Sequence, residues 1–402
     1  MQGKIKFTVG NLFTAAVLLM MFLGAIDFIN RFFVFVFVAA ILFFITPSRK
    51  IVFDASFFVL LAFSVSLMVF DSDYQSGILN ILKAFVFPLC YIVGRCLYLN
   101  LDSGNNDLIA HEKRMSKVVY IVAIGSFGHF ILNMLVNLGR TDRDVIEFWS
   151  RKDLSATGQA AFACIMIAVS AAALFSKSGI LKKVFAIISL AIIVAYNFIL
   201  AGRTIFVLIA IALVFAYFFR AYYHKIRIWK TVLIFVVIVA LLFLLYSIDF
   251  LNIKTLFEQS NFYERFFSGD YTQEIDEDSR LEYKLYYIEH FFDHMLGGNK
   301  IQNDIVGHHA HDLYLDTYDD AGIFALLAIV AYIIMSLYRA IKCARNRKIS
   351  FQTKQMILCV VLILNIQFWL EPIIQGMPWL LASYCFIDGA LGNLLTKSKD
   401  QL

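Results

Sequence analysis

Apolar runs of about the length of a membrane crossing recur from one end of this 402-residue chain to the other. A hydrocarbon core of ~30 Å takes about 20 apolar residues in helical form. Runs of that kind cover 8–26, 30–46, 53–70, 77–95, 117–137, 156–175, 184–200, 204–219, 231–248, 320–338, 355–370 and 379–395. Twelve spans are therefore expected, and the short gap at 201–203 leaves open a re-entrant pair over 184–219. Many runs are rich in Val, Ile and Phe, but lipid offers no partner to an open sheet edge, so each run is expected to be a helix. Composition agrees. Hydrophobic residues make up 60% of the chain and charged residues 16%, against about 45–50% and about 25% in soluble domains. The expected fold class is all-α: a polytopic integral membrane protein of about 12 transmembrane helices, the first of them retained rather than cleaved.

Lysine and arginine set the orientation, because they are held back on the cytoplasmic face. With the amino terminus inside, 23 of the 35 Lys and Arg fall on the inner side and 11 on the outer, with Lys83 within a span. The inner total concentrates in short loops such as 220–230 and 339–354. Both termini are thus expected in the cytoplasm and 249–319 outside. The formal charge of +5 is mostly this topology signal, and no aromatic-interleaved basic patch points to nucleic acid. The six cysteines (Cys90, Cys96, Cys164, Cys343, Cys359, Cys385) fall in spans or on the inner side, so the outer segment carries no disulfide framework.

Three regions follow: spans one to nine over 1–248, a large outer loop over 249–319, and spans ten to twelve with an inner tail over 320–402. No repeat and no linker rich in Pro, Gly or Ser divides them. The outer region is acidic, with sixteen Asp and Glu against five basic residues over 249–320. Within it, 281–295 reads as an amphipathic helix: Leu281, Leu285, Ile288, Phe292 and Met295 fall on one side and His290 and His294 on the other. Such a helix suits the plane of a membrane interface, or it packs on the tops of the bundle.

Five of the eight histidines lie between 290 and 311: His290, His294, His308, His309 and His311. Imidazole titrates near neutrality and serves as general base or metal ligand. The run Gly307-His308-His309-Ala310-His311-Asp312 leads into the tenth span, which places His311 at the outer interface. One alternative is a solvated polar cap. Another is a chelate of His290 and His294 completed by one of the other three, although Phe291 follows His290 and the HExxH arrangement is absent. No metal is assigned on this pattern, and no cofactor.

Arginine narrows the chemistry further. Arg203 sits in Ala201-Gly202-Arg203-Thr204 between two apolar helices. A cation there is costly without a partner, and its planar fork suits phosphate oxygens. Lipid headgroups are the simpler partner. Arg280 closes an acidic run (Asp276, Glu277, Asp278) and could equally form a local ion pair. Together two arginines able to hold a pyrophosphate and a histidine able to take a proton suit transfer from a lipid-linked diphosphate.

The order of these features resembles the bacterial O-antigen polymerase and ligase superfamily: Arg203 at the outer end of paired spans, Arg280 in an outer loop, Gly297-Gly298, then His311-Asp312-Leu313-Tyr314-Leu315 before Ala321-Gly322-Ile323. The resemblance is sharp over about 200–330. It implies an inverting, metal-independent membrane glycosyltransferase working on the periplasmic side of the bacterial inner membrane. The donor would be an undecaprenyl-diphosphate-linked oligosaccharide. Arg203 and Arg280 would bind its pyrophosphate and stabilise the leaving charge, and His311 would be the general base on the acceptor hydroxyl. Arg265 would assist in substrate binding. The sequence departs from the family at Asp312, where Asn is common and which is taken here as substrate-binding, and at Asp320, where Glu is frequent.

The leading expectation is a polymerase joining repeat units in lipopolysaccharide or capsule synthesis, which leaves room for a chain-length regulator protein as partner. The first alternative is the ligase that moves finished polysaccharide onto the lipid A core. The second is a transporter of lipid-linked sugars. Transporters commonly show internal repeats and intramembrane charges, whereas here few charges, among them Asp54, Lys83 and Asp388, fall within spans and no repeat is found.

Overall fold

The computed structural model describes residues 9–46, 50–75, 77–98, 108–140, 145–225, 253–258, 279–305 and 309–399, with a few isolated positions between 229 and 263. The described chain is helical apart from one two-stranded ribbon. The principal helices are α1 (Val9–Ala25), α2 (Phe32–Ile45), α3 (Ala55–Phe70), α4 (Ile78–Ala84), α5 (Val86–Cys96), α6 (Leu108–Val136), α7 (Ala156–Phe175), α8 (Ile180–Leu200), α9 (Arg203–His224), α10 (Ser279–Glu289), α11 (Leu313–Arg345), α12 (Phe351–Leu370) and α13 (Pro378–Lys399). The ribbon pairs β1 (Val145–Ile146) with β2 (Asp153–Leu154) in antiparallel register.

Six of these helices (α6, α7, α8, α9, α11 and α12) are long and apolar enough to cross a membrane. The count is seven if α4 and α5, bent by 44° at Phe85, act as one span. Helices α1 to α3 are apolar but run only 14 to 17 residues, short of the ~20 that a ~30 Å core requires. The expected span 231–248 lies outside the described residues except at isolated positions. The last one falls in α13, whose polar residues include Asp388 and Asn393. The chain is thus a multi-pass helical membrane protein, with six or seven helices among the described residues fit to cross by length and composition, which does not confirm the expected twelve. Helices α8 and α9 are separate long helices joined at Ala201–Gly202.

Small residues set the packing. Helix α7 (ATGQAAFACIMIAVSAAALF) is buried along almost its whole length, because its alanines let α6, α8, α9 and α12 all approach it. The closest helix pair is α5 with α13. A Cβ added at Gly94 would overlap the Phe386 carbonyl, and one at Gly389 would overlap the Tyr91 carbonyl, so two facing glycines let the backbones touch. Asn393 Nδ2 then donates to the Arg95 carbonyl at 2.9 Å.

Side-chain pairs sort the helix termini into two ends. At one end Asp54 caps α3 and accepts from Arg95 Nε (3.2 Å), Glu112 accepts from Ser350 N (3.0 Å) and Thr353 Oγ1 (2.7 Å), Gln352 donates to Ser178 (3.1 Å) and Asn346 to Ser398 (2.8 Å). At the other, Gln375 reaches Asp320. There, too, the Gly298 amide donates to the Asp320 carbonyl at 3.0 Å, Met377 lies beside Gly158, and Gly202 lies beside Ala156.

Two expectations are corrected here. The amphipathic helix ends at Glu289 rather than at 295; His290–Gly298 continues as turns, and Gly297 and Gly298 have φ of +77° and +88°. The helix that carries the tenth span is longer than the apolar run 320–338. Helix α11 starts at Leu313, breaks at Gly322 (φ 77°, ψ −174°), and runs on to Arg345, which carries Arg339 out of its expected inner loop and into a helix. Gly322 is required twice over. L residues rarely adopt its φ, and a Cβ there would stand 2.7 Å from the Met295 carbonyl oxygen. Gly297 faces it, with a built Cβ 2.8 Å from the Asp320 oxygen.

Gly322→Ala and Gly297→Ala should each lower the thermal midpoint in detergent micelles, the positive φ alone costing about 1–2 kcal/mol. Gly376→Ala is the matched control, because its Cβ would meet only Pro372 Cγ at an ordinary 3.6 Å. Equal midpoints for all three would remove the Gly297–Gly322 contact as a structural requirement.

Candidate functional site

The head of α11 gathers four carboxylates at the 320/375 end. Asp312 is the N-cap of the helix: its Oδ1 accepts from the Tyr314 (3.0 Å) and Leu315 (2.8 Å) amides, satisfying two of the free N–H groups at a helix start. Its Oδ2 lies 3.3 Å from Lys284 Nζ. Lys284, on α10, also donates to the Trp369 carbonyl at 2.9 Å. Asp316 accepts from the Ala310 (2.9 Å) and Asp312 (3.2 Å) amides. Asp319 accepts from the Ile301 (2.8 Å) and Gln302 (3.0 Å) amides and from the Tyr287 hydroxyl at 3.5 Å. Asp320 is fully buried and bonded through one oxygen to Gln375. These aspartates hold residues 298–302 and Ala310 against the helix, and a second small core of Tyr287, Ile301, Ala310 and Tyr318 fills the space beneath α10.

His311 stands immediately before the Asp312 cap with φ of +56°. Such a backbone is uncommon for a residue with a side chain and persists where the surroundings enforce it. Here the enforcing groups are the two amides on either side, Ala310 and Asp312, both tied to Asp316. The His311 ring is half-buried, with the His309 ring centroid 6.5 Å away. Asp312 is 1% exposed and both of its oxygens are engaged. A sugar hydroxyl reaching it has to displace Lys284.

Arg203 is the first residue of α9, and its side chain is exposed. The turn before it is held by Ala201 in the left-handed conformation and by Asn197 Nδ2 donating to the Gly202 carbonyl at 2.7 Å. A guanidinium at a helix N-terminus runs against the dipole preference for acidic residues there. A cation beside a helix start is a combination that suits an anion. The short helix Ile253–Glu258 reaches this turn, with Phe257 6.2 Å from Phe198.

Arg203, His311 and Asp312 therefore share one end of the bundle, with the loop 371–377 between them. Arg280 is the second residue of α10 at that end. Arg265 and His308 lie outside the described residues. The proposed chelate pair is drawn apart from its helix face because α10 stops at Glu289: His290 Nδ1 lies 2.7 Å from Asp293, and His294 Nε2 lies 3.9 Å from Asp304. The apolar stripe is open, with Leu281 66%, Leu285 48% and Ile288 57% exposed, which fits the interfacial alternative better than packing on the bundle.

Sequence reasoning missed a second polar group at this end. His129 Nε2, buried in α6, lies 2.6 Å from Glu147 Oε1. Glu147 also accepts from the Trp149 amide at 2.9 Å and from Ser150. Burial pushes the Glu147 carboxyl up, but the bonds from His129, Ser150 and Trp149 outweigh it and hold the group at about 2. Burial dominates at nearby Asp27, which is raised to about 6 despite its bond from the Phe32 amide. Asn133, Asn137 and Gln159 continue the network, and Trp149 Nε1 donates to the Ile26 carbonyl at 3.2 Å. The only signal in the sequence was polar residues at helical spacing in an apolar run. No protein-family model matches the chain, and no curated protein matches it either.

The two carboxyls give opposite pH signatures. Glu147, with its folded value below the ordinary 4.5, contributes stability that is complete above about 4.5 and is lost as pH falls toward 2. Asp27, raised from 3.8 to about 6, favours the fold at low pH, and that contribution is lost as pH rises through 6. Thermal midpoints against pH should show Glu147→Gln flattening the acid limb and Asp27→Asn flattening the limb between about 4 and 6. Parallel profiles for both variants and the wild type would mean that neither group senses the fold.

Proposed function

We propose that the chain is a membrane glycosyltransferase of the O-antigen polymerase and ligase type, acting as a polymerase at the 320/375 end of the bundle. The observation that carries this reading is the gathering there of an exposed Arg203 at a helix N-terminus, His311 held in a left-handed turn, and α10 with its open apolar stripe. A lipid-linked diphosphate needs a cation near the membrane surface, an apolar approach and a base. In this reading Arg203 and Arg280 neutralise the diphosphate as it leaves, with Arg265 as a helper. His311 takes the proton of the acceptor hydroxyl while that oxygen attacks the anomeric carbon. The donor is an undecaprenyl-diphosphate oligosaccharide. The 320/375 end faces the periplasm, and both termini are cytoplasmic in the inner membrane.

A transporter of lipid-linked sugars is the second reading, and one observation favours it. Asp388 and Arg339 form an ion pair between helices, joined by the Tyr332 hydroxyl at 3.0 Å. Ionisable groups at such positions mark transport paths in many membrane proteins.

Arg203→Ala and His311→Ala should abolish chain growth while the protein still inserts and accumulates, with losses of roughly 10²–10³ for a charge-stabilising donor and 10²–10⁴ for a general base. The readout is surface and lipid-linked polysaccharide resolved on a gel. Loss of the ladder with a single repeat unit left on the lipid A core marks a polymerase. A ladder that stays on the carrier marks the ligase, and a wild-type ladder in both variants ends the enzymatic reading.

A further inference from the structure

The opposite end of the bundle carries a cationic cavity that the proposed reaction does not use. It measures about 150 Å³ and is lined by Asp54, Arg95, Arg339, Lys342, Gly392 and Thr396. Arg95 is 9% exposed, and its fork is only partly engaged: Nε donates to Asp54 at 3.2 Å and Nη2 to Thr396 at 2.9 Å. Its Nη1 is buried and has no hydrogen-bond partner among the described residues. A buried guanidinium N–H without an acceptor is costly, so an acceptor brought into the cavity is favoured. Arg339 is committed to Asp388 and Ser56. Arg95, Arg339 and Lys342 thus all line the cavity beside Asp54, and the acceptor that Arg95 Nη1 calls for is an anionic one.

The floor of the cavity is built for Arg95. Gly392 has no side chain where a Cβ would stand 3.2 Å from Arg95 Cδ and 3.4 Å from Nε. Beside the cavity lies a larger apolar groove of about 520 Å³. It shares Asp54, Tyr338 and Arg339 with the cavity and is continued by Ala55, Ile334 and Met335. Tyr338 is 64% exposed at the junction, the position aromatic rings take between hydrocarbon and headgroups.

We propose that this end is a binding site for a membrane lipid carrying a phosphate group. The phosphate accepts from Arg95 Nη1 and sits against Lys342, and the acyl chain lies along the Ile334–Met335 groove. Planar guanidinium and ammonium together suit phosphate oxygens. A free phosphate offers the same oxygens but would leave the groove unfilled.

The test is retention of added lipid by the full-length chain, purified in uncharged detergent and followed by native mass spectrometry. Phosphatidic acid is the probe, diacylglycerol with the same chains supplies the tail alone, and inorganic phosphate supplies the headgroup alone. The expected result is saturable binding of phosphatidic acid and little of diacylglycerol. Lys342→Gln and Arg95→Gln should each weaken binding about tenfold, the scale of one charge-assisted hydrogen bond, while Lys177→Gln at the same end leaves it unchanged. If Arg95→Gln does not fold, Lys342→Gln alone carries the decision, since it leaves the Arg95–Asp54 and Arg339–Asp388 pairs intact. Equal retention of diacylglycerol, wild-type binding by Lys342→Gln, or displacement of the lipid by millimolar inorganic phosphate would each overturn the proposal.

Discussion

Charge buried between apolar helices has to be answered on the spot, and the answers given to Asp388 and Asp54 tie the bundle together. Asp388 on α13 takes Arg339 of α11 and the Tyr332 hydroxyl. Arg339 passes a further bond to Ser56 at the start of α3, at 2.6 Å. Asp54, the cap of that helix, takes the Tyr91 hydroxyl (2.8 Å) and Arg95 from α5. Four helices distant in sequence are thereby fixed in register. Pairing does not make such groups net stabilising, because desolvation consumes much of the attraction. It makes every alternative packing worse, since a shift of one turn would strand a carboxylate in hydrocarbon. The glycine contact between α5 and α13 brings these backbones close enough for the network to close.

At the other end the fold relies on carboxylates in a different way. Asp312, Asp316 and Asp319 accept mostly from backbone amides, so the acidic character of the segment is largely spent on shaping its own loop. For the proposed donor, that removes an apparent conflict between an acidic segment and an anionic diphosphate. The carboxylates point inward to amides, whereas Arg203 is exposed. The left-handed His311 follows from the same arrangement, pinned between two amides that share Asp316. Its backbone is therefore set by those amides, while its ring is half-buried beside His309.

The two ends are chemically distinct. One carries Arg339, Lys342 and Arg345 and holds a partly satisfied guanidinium at Arg95 beside an apolar groove. The other presents a surface helix with an open apolar stripe, together with Arg203 and His311. Both halves of this arrangement are built from the same long helices.

Much of this was legible in the sequence. Membrane residence, helical class and the asymmetry of basic loops follow from composition and from apolar runs of crossing length, because the bilayer acts on each segment separately. Arg203 and His311 could be singled out for the same local reason: a cation and an imidazole at the edge of hydrocarbon stand out against their neighbours. What sequence could not decide depends on which helices meet. The break at Gly322 exists because α11 meets the 295–298 turn. Asp388 looked like an isolated intramembrane acid until α11 was seen to carry Arg339 to it, and the His129–Glu147 pair joins a helix to a ribbon. Asp312, expected as a group for substrate, is a helix cap that also meets Lys284, which the sequence did not show. A residue's surroundings in one dimension reveal the solvent it prefers, but its partners are fixed only when the helices pack.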